Sequence, residues 1–300
     1  MAHNTWTDGF TDQTITADDG APLRVFVRSG RPGVLPVVLL HGIAQTRRFW
    51  GPVVNLLPAE WPLAVIDQRG HGESDASFDA YDDVAAGTDV VALVEHLGGP
   101  AILVGNSMGA GAACWAAGER RDLAAGLVLI GPFVRDASAG GLGSLLFHLA
   151  LLRPWGRAAW GAYFKSLYPS RRGVEFDAHF AEVAANLRTP GHWDAFVTTT
   201  RTSHAPAEAH LGAVRAPTLV VMGEADPDFP DPVAEARWIA EQLDAQVLMV
   251  PGAGHYPQAE FPEVVSPAVV EFALRVESLR DLTHLVEVLA EHEDAAARDV

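Results

Sequence analysis

The chain has 300 residues, 49% of them hydrophobic, a formal net charge of −17 and a single cysteine. That length holds one large α/β domain or two small ones, and the lack of a low-complexity linker in mid-chain favours one domain with an insertion. The negative charge argues against nucleic acid and anionic membrane surfaces as partners, since both would be repelled. One cysteine, Cys114, excludes a disulfide framework and argues against a thiolate metal site. No apolar run approaches the ~20 residues needed to span a bilayer. Residues 1–12 show neither a basic n-region nor an apolar h-region, so no signal peptide is expected and a cytoplasmic location is.

Two short alternating stretches, 13–16 and 23–27, flank Asp18-Asp19-Gly20 and predict an antiparallel hairpin. From there strand and helix alternate. Strands are expected at 37–40, 63–66, 101–104, 127–130, 217–222 and 246–250, with helices at 47–57, at 81–97 and after Gly109. Short apolar strands separated by helices predict an α/β fold with a mostly parallel sheet covered on both faces. The rhythm breaks between 135 and 213. That stretch is helix-rich, carries Trp155, Trp160 and Trp193, and is punctuated by Pro154, Pro169, Gly173 and Pro190. Inserted after the sixth strand, it would lie over the C-terminal edge of the sheet as a lid. Its aromatics could line a substrate pocket, although most are expected to hold the lid helices together. The expected organisation is a core of residues 1–134 and 214–277, a helical lid of 135–213 and an acidic helical extension of 278–300. Leu282, Leu285, Val286 and Leu289 fall at helical spacing in that extension, which is expected to pack on the surface or to mediate self-association as a homodimer.

Chemistry concentrates at the ends of the expected strands. Gly105-Asn106-Ser107-Met108-Gly109 sits between the apolar run 101–104 and a small-residue helix. A strand, a tight turn and a helix with a serine at the apex form the arrangement called a nucleophile elbow, in which the turn lifts the hydroxyl clear of the backbone. A serine nucleophile needs a base, the base an orienting acid, and the developing oxyanion donors. His255, on the glycine-rich loop after the last strand, is the candidate base. Asp226, just after the strand 217–222, is the favoured acid, with Asp228 and Asp231 close rivals and Asp136 a more distant one. Asp231, before Pro232, also suits a helix cap. The backbone N–H groups of Ile43 and Met108 are the expected oxyanion donors, and His41 is expected to brace its loop. Phe133 and Tyr256 are the candidate substrate-pocket residues. The cluster from Asp67 to Ser74 predicts a sharp glycine turn held by an Arg–carboxylate contact. No phosphate-loop pattern follows a first strand, and no His/Asp/Glu spacing supports a metal, so no cofactor is expected.

His41-Gly42-Ile43, Asp67 to Gly72, Gly105 to Gly109, Gly223 to Asp226 and Gly252 to His255 occur in an order that resembles the α/β-hydrolase superfamily. The resemblance is to its lidded branch of serine esterases, C–C bond hydrolases and cofactor-free haloperoxidases or perhydrolases, and it covers residues 13–276. It implies Ser107 as nucleophile, His255 as general base and then acid, and Asp226 as its orienting partner. Relatives with an aspartate at the elbow, the epoxide hydrolases and haloalkane dehalogenases, are set aside because position 107 is serine. C–C hydrolases rank lower, because theirs is usually a longer glycine-rich oxyanion segment. The expected function is cleavage of a carboxylic ester, thioester or lactone of a small, mostly apolar substrate through an acyl-enzyme. The alternatives are C–C cleavage, acyl transfer or peracid formation on the same triad, or a ligand receptor of this fold without turnover.

Overall fold

Val37, Val38, Leu39 and Leu40 are all fully excluded from solvent, as a strand with helices on both faces requires. In the computed structural model, which describes residues 6–136 and 142–298, they form β3 (Val37–Leu40) of an eight-stranded sheet. The other strands are β1 (Thr11–Thr16), β2 (Pro22–Arg28), β4 (Leu63–Ile66), β5 (Ala101–Asn106), β6 (Ala124–Ile130), β7 (Thr218–Gly223) and β8 (Gln246–Val250). They lie in the order β1-β2-β4-β3-β5-β6-β7-β8. β1 pairs antiparallel with β2, and β2 antiparallel with β4. Every neighbouring pair from β4 to β8 is parallel. This is the α/β-hydrolase arrangement the sequence predicts.

Alternation along the strands divides the core in two. Val37, Leu39, Val65, Ile102, Val104, Val128 and Ile130 face one apolar cluster, shared with α1 (Gly51–Val54) and α11 (Pro262–Arg298). Val38, Leu40, Ile66, Leu103, Leu127 and Leu129 face the other, against α2 (Asp83–His96), α3 (Met108–Glu119) and α9 (Pro232–Leu243). Each fully buried Val or Leu contributes about 1.5–3 kcal/mol relative to exposure, so the sheet is the firm platform of the molecule. Asp82 caps α2 by accepting the Ala85 N–H at 2.9 Å. Asp231 caps α9 through Ala234 N–H, also at 2.9 Å, with Pro232 in the first turn.

Between β6 and β7 lies the helical insertion, made of α4 (Leu142–Ala150), α5 (Gly156–Ser166), α6 (Phe176–Asn186), α7 (His192–Thr199) and α8 (Ala205–Leu211). Among its described residues there is no strand. Trp160, Phe164, Phe176, Trp193 and Phe196 join the same apolar cluster as one face of the sheet, while Trp155 is exposed. Asp136, at the start of the insertion, is tied to the segment just before α8: it accepts from Ser203 Oγ at 2.5 Å and from His204 N–H at 2.7 Å.

Two expected helices differ in the structure. The stretch 47–57 is a 3-10 turn at Arg47–Trp50 followed by the single turn α1. Pro52 has no N–H to give the Arg48 carbonyl, so a helix entering from Arg47 cannot continue and restarts at Gly51. The segment after 278 is no separate element, because α11 runs from Pro262 to Arg298 without a break. After Pro267 that stretch holds neither glycine nor proline to interrupt it. Leu282 and Leu285 are exposed on it; the side chains of Val286 and Leu289 lie outside the described residues. Among the described residues, no helix is long and apolar enough to cross a membrane; α10 (Pro257–Glu260) completes the set.

Candidate active site

The chain leaves β3 toward β4 on one side, then returns to lay β5 on the other. In an open α/β sheet the crevice outside the carboxyl ends of strands at such a reversal is the place for a ligand. Ser107 follows β5 there, with φ 55° and ψ −121°, a left-handed backbone that a serine reaches only under constraint. The constraint is local packing. A Cβ on Gly105 would come 2.3 Å from the Gly109 carbonyl oxygen, and one on Gly109 would come 2.5 Å from that of Leu40. Both positions must lack a side chain for β5, α3 and β3 to approach this closely. Ser107 N–H donates to Ile130 O at 2.9 Å, and Ser107 O accepts from Ala110 N–H, so the strained residue is pinned on both sides.

His255 arrives on the loop after β8. Its Nδ1 donates to Asp226 Oδ2 at 2.8 Å and lies 3.4 Å from Asp228 Oδ2. Ser107, Asp226 and His255 are all nearly excluded from solvent. Burial alone pushes the imidazole down, but the charges of Asp226 and Asp228 and the hydrogen bond to Asp226 outweigh it and raise His255 to about 9. A backbone contact sets the two loops together, Ala225 N–H donating to Ala253 O at 2.9 Å, while Asp228 N–H donates to Asp226 Oδ1 at 2.9 Å within the acid's own turn. Glu260, buried on α10, accepts from Gly254 N–H, and His255 N–H donates to Leu167 O of the insertion. Asn106 Nδ2 bridges Ile130 O and His255 O, linking the elbow to the histidine loop. Glu260 was not legible as a support, since nothing in its sequence surroundings distinguishes it from an ordinary polar residue; Asn106 lies within the elbow pattern, which gives no hint of its bond to the histidine loop.

The loop after β3 turns at Gly42-Ile43-Ala44-Gln45, closed by Gln45 N–H to Gly42 O at 3.2 Å, with Ala44 at φ 60°. Among the described residues, neither the Ile43 nor the Met108 N–H has a hydrogen-bond acceptor. Both residues line one cavity of about 300 Å³ together with Ser107 and His255. Phe133 and Tyr256 line it too, each edge-on to the His255 ring with centroids 5.6 and 5.0 Å away. Phe147, Trp160 and Leu167 from the insertion add apolar wall, and Thr199, Thr200, Thr202 and His204 a polar margin. The structure thus places Ile43, Ser107, Met108, Phe133, His255 and Tyr256 around one cavity, with Asp226 behind the histidine.

His41 is a brace. Its Nδ1 donates to Gly42 O at 2.8 Å, and its Nε2 accepts from Gln68 N–H at 3.0 Å. Burial, with His71 nearby, holds it neutral, well below the usual imidazole range. The Asp67–Ser74 turn is held by two buried arginine–carboxylate contacts, Arg47 to Asp67 and Arg69 to Asp89. Of the rival acids, Asp231 is occupied by its cap and Asp136 by Ser203 and His204; Asp228 stays beside His255. Among the described residues, Asp226, Asp228 and His255 have ligand atoms close enough together, within 4.8 Å, to hold a metal ion. Both carboxylates face the same Nδ1, so a cation there would have to displace the proton they share.

Residues 37–268 match the model of the family described as Alpha/beta hydrolase family, and the chain belongs to that family. It is an enzyme of that hydrolase class. It is 28% identical over 263 residues to 2-(acetamidomethylene)succinate hydrolase from Mesorhizobium japonicum, covering 83% of this chain and 92% of the relative. An esterase from Rhodococcus sp. ECU1013 superposes with a TM-score of 0.73 at 26% identity, over 88% of this chain and 99% of that one. A thermophilic esterase from Thermogutta terrifontis gives a TM-score of 0.72, also at 26% identity, over 89% and 99%.

Proposed function

We propose that the protein is a serine hydrolase that cleaves a carboxylic ester, thioester or lactone of a small, mostly apolar substrate through an acyl-enzyme. The observation that carries this reading is the convergence of a strained serine, the His255–Asp226 pair and two acceptor-free amides on one cavity. Likeness to two esterases at 26% identity supports ester cleavage over the other reactions of the fold.

In this mechanism Ser107 Oγ attacks the substrate carbonyl carbon as its proton passes to His255 Nε2. The carbonyl oxygen becomes an oxyanion that accepts from the Ile43 and Met108 N–H groups. Collapse breaks the bond to the leaving alcohol or thiol, which takes the proton from His255. Water then repeats the sequence on the acyl-enzyme, giving the acid and restoring Ser107. Asp226 holds the imidazole in the tautomer that leaves Nε2 free to accept. A cavity of about 300 Å³ with Ile43, Phe133, Phe147, Trp160 and Leu167 in its wall favours a short apolar acyl group. Residues 135–213 serve as the lid, over a core of 1–134 and 214–277.

A fluorophosphonate probe read by intact mass tests this. One adduct on wild type and none on Ser107→Ala or His255→Ala is expected, with ester turnover falling by at least about 10⁴-fold in either variant. No adduct and no turnover by the wild type, across a panel of acyl-chain lengths, would overturn the reading.

A further inference from the structure

His255 is faced by more acid than one triad needs. Asp226 holds its Nδ1 at 2.8 Å, yet Asp228 Oδ2 lies 3.4 Å from the same nitrogen and also lines the cavity. Asp228 has a partner on the insertion: the Tyr163 hydroxyl, on α5, donates to Asp228 Oδ1. The side chain is thus held from the lid on one oxygen while the other looks at the imidazole. We propose that Asp228 is a second orienting acid for His255, kept ionised and in place by Tyr163, so that the lid helps to set the state of the catalytic base. The role of His255 as base rests on the serine-hydrolase reading, whereas its position between two carboxylates does not.

Three considerations carry it. First, distance: at 3.4 Å the second carboxylate needs only a small side-chain rotation to take over the Nδ1 proton if Asp226 is lost. Second, chemistry: burial and the neighbouring Asp226 disfavour a charge on Asp228 and raise its carboxyl, whereas His255 and the Tyr163 hydrogen bond pull it back down. Tyr163 therefore supports the ionised form, the only form that attracts an imidazolium. Its own hydroxyl is pushed above the usual phenol range by burial and by Asp228, so it remains a donor. Third, connectivity: Asp226 and Asp228 share one turn through Asp228 N–H, whereas Tyr163 comes from the insertion, so the contact spans core and lid. Among the described residues, the other titratable groups lining the cavity are Tyr256, on the loop of His255, and His204, whose ring stacks on Phe133 at 5.7 Å.

The experiment uses Asp226→Asn, Asp228→Asn, their double variant and Tyr163→Phe in the full chain. The His255 midpoint is read by NMR titration of the imidazole, and ester turnover is measured against pH. Asp228→Asn is expected to lower the midpoint by about one pH unit, and Tyr163→Phe to move it the same way by less. Asp226→Asn is expected to lose about 10–100-fold in kcat, and the double variant about 10⁴-fold, the loss usual for a triad without its acid. A merely structural Asp228 would leave the midpoint in place. An unmoved midpoint in both Asp228→Asn and Tyr163→Phe, or Asp226→Asn as inactive as the double variant, would overturn the proposal. Tyr163→Phe removes a single hydroxyl, so it reports even if Asp228→Asn does not fold. The titration needs no turnover, so failure of the hydrolase reading leaves it decisive.

Discussion

Arg47 and Asp67 pair across the ends of β3 and β4, with Arg47 Nη1 2.9 Å from Asp67 Oδ2 and both side chains 2% exposed. The carboxylate also accepts from Arg47 N–H at 2.6 Å and from Glu73 N–H at 2.9 Å. Burial pushes Asp67 up to about 6, while Arg47 and these two amides pull the other way. Arg47 further lies over the Phe26 ring, 3.8 Å from its centroid. One ion pair therefore joins the oxyanion side of the site to the glycine turn after β4. Removing one partner strands a buried charge, so Arg47→Met should cost about 3–5 kcal/mol in urea unfolding. Adding Asp67→Leu to Arg47→Met should recover only part of that, because it leaves the Arg47 and Glu73 N–H groups without their acceptor. A single-variant loss below about 1 kcal/mol would mean that water already reaches the pair.

Ser107 stands in a backbone region that glycine adopts freely. Ser107→Gly should therefore abolish probe labelling and at the same time raise stability by about 1–2 kcal/mol. Differential scanning calorimetry would show it as a higher Tm. A lower Tm would show that the elbow is held by the serine side chain rather than against its backbone preference.

The histidine predicts opposite pH trends for stability and for reactivity. His255 is raised to about 9 in the folded chain from an ordinary 6.5. A raised imidazole contributes stability that is fully present below 6.5 and is lost as pH climbs through 9. The base function needs the neutral ring, so fluorophosphonate labelling of Ser107 should climb through the same window. The Tm difference between wild type and His255→Gln isolates the first effect from other titrations. A difference that stays constant from pH 6.5 to 9 would contradict the assigned protonation.

Trp160 forms part of the cavity wall. Its ring packs on Phe196 with centroids 4.7 Å apart and lines the same space as Ser107. Trp160→Leu should move the preferred acyl chain to greater length and cost roughly 2 kcal/mol in stability. Turnover of a series of p-nitrophenyl esters measures the first effect; an unchanged chain-length optimum would place the acyl group elsewhere.

Much of this site was legible because its signals are local. The elbow is written in five adjacent residues, and Gly105 and Gly109 are demanded by backbone contacts that any neighbour would impose. Asp226 and His255 could be read from their positions after strands, because the sheet delivers strand ends to one edge. Asp228 was visible only as a rival; its bond to Tyr163 spans 65 positions, and no local pattern encodes such a pair. The same holds for Arg47 and Asp67, 20 positions apart, where the cluster after β4 announced an arginine contact without revealing which arginine. The helix expected at 47–57 failed for a local reason after all, since Pro52 interrupts it. The boundary at 278 marked a change in composition that the backbone ignores.

The bonds from Ser203 and His204 to Asp136 close all of the insertion except α8 into a loop of roughly 70 residues. Closing such an excursion at one point costs little more as it lengthens, because loop closure changes only slowly with length. The helices are nonetheless moored to the chemistry at two further points, since Tyr163 donates to Asp228 and the Leu167 carbonyl accepts from His255 N–H. A different run of helices spliced between Asp136 and Ser203 would have to supply both contacts to keep the histidine loop on its footing. Redrawing the walls of the chamber is therefore coupled to the base at Tyr163 and Leu167.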